Sequence, residues 1–182
     1  MGAMTEEEAG FLFDFLMPQL ESEQKITRKI MLAVPGGMGD YRPAAMSMTA
    51  LELARHIALC EIWFLDAVIR QQFLEIDAPR EALGSVVGVA DWYAATFAER
   101  VAVMRGLSGE HLAVRVDYLG LRNDPAVAYL NIAIRHSVHH RGQLAAYLRP
   151  MGGKVPAIYV ESGDEPYSGE GGAVDGERPP AF

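Results

Sequence analysis

Histidine is scarce in this chain of 182 residues, and three of its five histidines, His136, His139 and His140, stand within one short stretch. His136 and His140 are four residues apart, so on a helix both imidazoles face the same way, one turn apart. That spacing lets both rings reach one metal ion, as in helical zinc motifs. The same face carries Tyr129, Ile132, Ala133, Leu144 and Tyr147, so it points into a core. Two imidazoles buried side by side need polar partners. A metal ion supplies them, and a hydrogen-bonded pair without metal is the other reading.

His56 is the candidate third ligand. At helical spacing it shares a face with Thr49, Leu53, Cys60, Trp63 and Ala67, an apolar stripe broken by one histidine. Alone, such a residue is more often a hydrogen-bonded core histidine, but facing helices of a bundle build metal sites in this way. Three neutral histidines without a fourth protein ligand leave positions for water or substrate. Cys60 reads either as a thiolate ligand or, preferably, as a small buried hydrophobe. His139 reads as a residue at the rim of the site, and His111 as a solvated loop residue. Gln143 is placed to orient a histidine or its bound water, with a plain helix-end contact as the alternative. Arg141 is expected to pair with an acid of the bundle, and Gly142 to mark a close approach of helices. No convincing general base stands beside the histidines. Glu52 and Glu61 lie on the segment of His56 at angles that the sequence leaves open.

Four segments with helical periodicity must position these groups. The first runs from about Thr5 to Ala33, opened by a capping signal at Thr5 with Glu6, Glu7 and Glu8. Pro18 predicts a kink or restart inside it, and Pro35-Gly36-Gly37 ends it. The second starts at Ser47 or Thr49, answered by Glu52, and continues to about Ile76 with apolar residues nearly all round. The third spans about Ser85 to Arg105. A connection follows, with a β-like piece from His111 to Tyr118. The fourth is expected to open at Asn123 or Asp124 with Pro125 in the first turn, and to run to about Arg149. Four long amphipathic helices imply an all-α four-helix bundle.

Composition bounds the function. The formal charge is −8, from 24 acidic and 16 basic residues. Six of the acids, with one arginine, lie in residues 161–182, together with five Gly and three Pro. Residues 1–160 therefore read as the bundle and 161–182 as an acidic Gly/Pro-rich tail. A near-balanced bundle without a basic stripe argues against nucleic acid or an anionic membrane as partner. No apolar run approaches the ~20 residues that span a bilayer. A single cysteine and no evident leader peptide place the chain in the cytoplasm.

The stretch HSVHHRGQLAAYLRPMGGKVPAIYVESGDE resembles the signature of the DinB-like (YfiT-like) superfamily, with its His-x-x-x-His-Arg-Gly-Gln helix. SMTALELARHIALCEIWFLDAV is similar to the family's other histidine block, and PQLESEQKITRKIMLAVP with Tyr41-Arg42-Pro43 to its first helix and loop. Tyr159-Val160 departs from the family's usual Tyr-Gly. The resemblance implies an up-down-down-up bundle, commonly a homodimer, and a divalent metal, nickel or zinc, on three histidines. Those map to His56, His136 and His140. It further implies a metal-dependent transferase or hydrolase acting on a small-molecule substrate, with a low-molecular-weight thiol as co-substrate. The alternative is a non-catalytic, stress-related metal-binding or dimerisation module.

Overall fold

The computed structural model describes residues 3–166. Its helices are α1 (Glu6–Leu32), α2 (Ala50–Arg70), α3 (Val86–Met104), the short α4 (Gly109–Ala113) and α5 (Ala128–Leu148). Strands β1 (Arg115–Tyr118) and β2 (Arg122–Pro125) form an antiparallel hairpin before α5.

The starts of α1 and α2 follow from their caps. Thr5 and Thr49 each accept from the backbone three residues on, while Glu8 and Glu52 accept from the cap nitrogens. These reciprocal bonds satisfy donors that a helix start otherwise leaves unpaired. Buried positions recur along α1 at Phe13, Leu16, Leu20, Thr27 and Ile30. The expected break at Pro18 does not occur, and α1 passes through it. Pro18 and Asp14, whose carbonyl loses its helical donor, are both exposed, so α1 tolerates the missing bond without burying an unpaired group.

Side-chain contacts fix the helix directions. Arg55 donates to Leu83 O at 2.6 Å and Arg100 pairs with Asp66 at 2.6 Å, so α2 and α3 run the same way. Arg28–Asp91 and Arg105–Glu21 set α1 against α3. His56 meets His140, and Phe64 stacks on Tyr129, so α5 opposes α2. Glu23–Arg141 and Lys29 to Ala157 O align α1 with α5 and the segment after it. The bundle is therefore up-down-down-up. Each of α1 and α2 packs on both α3 and α5, so α1 and α2 occupy opposite corners. Parallel α2 and α3 require a return along the bundle, which residues 71–85 make.

Three boundaries differ from the sequence reading. α2 stops at Arg70 rather than Ile76, because Gln71 adopts the left-handed conformation (φ 56°). Phe73 then folds back onto Trp63, Tyr118 and Tyr129, with ring centroids 4.7, 4.9 and 5.0 Å away. α5 begins at Ala128, not at Pro125, because Asn123 to Pro125 are paired with β1. His111 lies in α4, not in a loop, and its Nε2–H donates to Val68 O at 2.9 Å. Gly142 is exposed and a Cβ there would meet nothing within 4 Å, so it marks no close helix approach.

Residues 162–165, assigned by composition to the tail, are tied to the body. Asp164 accepts from Val155 N and Arg149, and Glu165 from Lys29 at 2.8 Å. Residues 167–182 of the expected tail lie outside the described residues. Among the described residues no helix is long and apolar enough to cross a membrane.

Candidate metal centre

α2 and α5 cross their histidine-bearing faces at mid-bundle. The caps on α2 and the apolar grip of Leu53, Ile57, Leu130, Ala133 and Leu144 set the register. His56 Nε2 then lies 3.1 Å from His140 Nε2 and 3.1 Å from His136 Nε2. The ligand atoms of the three residues all fall within 4.8 Å of one another. With metal–nitrogen bonds of about 2.0–2.1 Å, neighbouring nitrogens stand roughly 2.9 Å apart at right angles and roughly 3.3 Å apart in a tetrahedron. The two 3.1 Å spacings fall between these and the third pair lies within 4.8 Å, so His56 is spaced to share a small divalent ion with either histidine of α5.

The rings' other nitrogens support that use. His140 Nδ1–H donates to Gln143 Oε1 at 2.9 Å, which leaves its Nε2 lone pair facing the centre. Gln143 is itself held, donating Nε2–H to the exposed His139 at 3.1 Å. His56 Nδ1 lies 3.5 Å from Cys60 Sγ. His136 Nδ1 is buried without a hydrogen-bond partner among the described residues. Burial, then the neighbouring imidazoles, pushes His136 down to about 4. Burial, then His140, lowers His56 as well. Both therefore stay neutral at ordinary pH, which is the form that ligates metal.

Among the described residues this group comprises three histidines and neither cysteine nor carboxylate. Cys60 sits on the far side of the His56 ring from the shared centre, half-buried, with its thiol pushed up by burial. Glu52 is committed to the α2 cap. Glu61 is fully buried, accepting from Tyr93 OH at 2.8 Å and from Ser137 Oγ. Burial raises its carboxyl to about 7. Behind it, Arg141 is 2 % exposed and pairs with Glu23 Oε2 at 2.5 Å, while its second terminal nitrogen donates to Tyr159 OH at 2.6 Å. Helical spacing points to the three histidines but not to the partners of Glu61, since Tyr93 and Ser137 lie 32 and 76 residues away. His56 also opens on a cavity of about 510 Å³ that Arg42, Met46, Met48, Glu52 and Arg55 help to line.

A family model described as "DinB family" matches residues 12–170. The uncharacterized protein YjoA of Bacillus subtilis is 28% identical over 134 residues, covering 72% of this chain and 85% of that protein. Its crystal structure, titled a DinB-like protein, superposes with a TM-score of 0.65 at 24% identity over 79% of this chain and 96% of that one. A DinB-like protein from Bacillus cereus gives 0.67 at 22% identity, covering 87% and 100%. These two structures share the fold.

Proposed function

The chain belongs to the DinB family, and from that premise we propose that it is a divalent-metal-dependent enzyme acting on a small molecule, with a low-molecular-weight thiol as co-substrate. One observation carries the reading: His56 Nε2 stands 3.1 Å from the Nε2 atoms of both His136 and His140, beside an open cavity. Imidazole donors suit nickel and zinc. When bound, such an ion supplies Lewis acidity toward a thiol or a water near neutral pH. His56, His136 and His140 hold it, and Gln143 keeps the His140 lone pair inward. No cysteine or carboxylate closes the fourth position among the described residues, which favours a working site over a purely structural one.

The test is thiol consumption by metal-loaded protein with a small electrophile. We expect turnover that chelation removes and His56→Ala abolishes. Turnover equal in the chelated and the loaded protein overturns the reading. The second reading, a non-catalytic metal-binding module, is favoured by the commitment of Glu52 and Glu61 to other bonds, which leaves neither as a free general base. It predicts bound metal with no turnover.

Phe11 and Phe15, one turn apart on α1, are 75% and 61% exposed, which supports a homodimer. Light scattering at micromolar concentration checks this, and a monomer mass contradicts it. The balanced charge of the bundle supports a small-molecule rather than a nucleic-acid partner, and the single cysteine a cytoplasmic setting.

A further inference from the structure

The face of α2 that presents His56 is lined at both ends by open cavities of opposite character. Glu52, Arg55, His56, Leu59, Cys60 and Trp63 follow one another at helical spacing and form one strip. At its start lies the cavity of about 510 Å³ already described, where Arg42 and Arg55 face one carboxylate, Glu52. Glu52 is held by Thr49 N at 2.7 Å and stays ionised, its carboxyl lowered first by that bond. Arg42 approaches it only to 3.8 Å, and the Arg55 guanidinium is anchored by its Nε–H to Leu83 O. Two guanidinium groups against one carboxylate leave room for one further negative charge.

One turn beyond His56 a second cavity of about 480 Å³ opens, walled by Leu59, Trp63, Phe73, Ile76 and Leu119. Its inner wall is Cys60, 3.5 Å from His56 Nδ1. Trp63 is fixed there by its own N–H donated to Leu74 O at 2.8 Å. The one charged group on this cavity is Glu75, which repels an anion. Both volumes lie in the range of small-molecule sites. Arg55 and Trp63 are eight residues apart, about 12 Å along the helix.

We propose that the substrate is an amphipathic monoanion laid along this strip, its anionic group on Arg42 and Arg55 and its apolar group against Trp63, Phe73 and Leu119. Its middle then passes His56, which borders the first cavity and touches Cys60 of the second. The placement of a reacting group at that middle rests on the metal-dependent reading above. The two arms rest on the cavities alone.

The test is isothermal titration of the zinc-loaded chain with phenylhexanoate, phenylhexanamide and phenylacetate as probes. Phenylhexanoate is long enough to reach both cavities. It should bind about tenfold tighter than the neutral amide and about tenfold tighter than the short acid. Arg42→Glu should weaken phenylhexanoate about tenfold and leave the amide unchanged. Leu119→Asp should weaken both long probes. Arg42 and Leu119 are 44% and 63% exposed, so neither change threatens folding. Equal binding of acid and amide, or binding untouched by either substitution, overturns the proposal. The same pattern in a chain that takes up no zinc upholds the two arms and sinks the metal reading instead.

Discussion

Glu61→Gln should stabilise the metal-free protein at alkaline pH and leave it nearly unchanged in acid. Glu61 is fully buried between Tyr93 and Ser137, and burial raises its carboxyl from 4.5 to about 7. The folded state therefore holds the proton more tightly than the unfolded state. The stability this confers is complete below about pH 4.5 and is lost as pH rises through about 7. At ~1.4 kcal/mol per pH unit the loss is on the order of 3 kcal/mol. A glutamine at this position is always neutral, and its amide can accept from Tyr93 while donating to Ser137, so the variant escapes the loss. His136 acts with the opposite sign. Its folded value of about 4 lies below 6.5, so stability is lost as pH falls through that window. In the native chain the two trends oppose each other, and Glu61→Gln should unmask the histidine slope. Urea unfolding at about pH 5 and about pH 8 measures both. The expected result is a gain on the order of 2–3 kcal/mol at the higher pH and little change at the lower. A variant less stable than the native chain at high pH, or one with the same difference at both, refutes the reasoning. Glu61→Ala should instead cost about 3 kcal/mol or more at the lower pH, because it leaves a cavity and two unpaired hydroxyls, and less at the higher pH, where it also escapes the ionisation loss.

Glu23→Ala strands the Arg141 guanidinium in the interior and should cost about 3–5 kcal/mol, read as a lowered denaturation midpoint. Tyr159→Phe removes the hydroxyl that accepts from Arg141 and donates to Glu23, and should cost about 1–2 kcal/mol. Gln143→Ala frees the His140 ring and should weaken metal binding about 10–100-fold with little change in melting temperature. Thr49→Ala removes the α2 cap and should cost about 1 kcal/mol by chemical denaturation.

Much of the bundle was legible because its signals are local. Thr5 with Glu8, and Thr49 with Glu52, are capping boxes within one helical turn, and the structure forms both. The histidines of α5 follow the same logic, since a helix alone places His136 beside His140. The boundaries that went astray were set by distant partners. Asn123 to Pro125 look like a helix start but pair across a hairpin, with Pro125 opposite Arg115, Asp124 opposite Val116 and Asn123 opposite Asp117. The apolar run after Arg70 continues the helical pattern, yet Gln71 turns left-handed and Phe73 joins Trp63 and Tyr129 instead. The role of Glu61 was hidden for the same reason, because its partners Tyr93 and Ser137 come from two other helices.

On the proposed reading, His56, His136 and His140 together hold one divalent ion. Equilibrium titration of the untagged, metal-free chain with zinc and with nickel tests it most directly, read by calorimetry and checked by elemental analysis. One ion should bind per chain, with affinity lost in His56→Ala and in His136→Ala while the helical content of both variants is kept. Binding well below one ion per chain, or binding unchanged by either substitution, would contradict it.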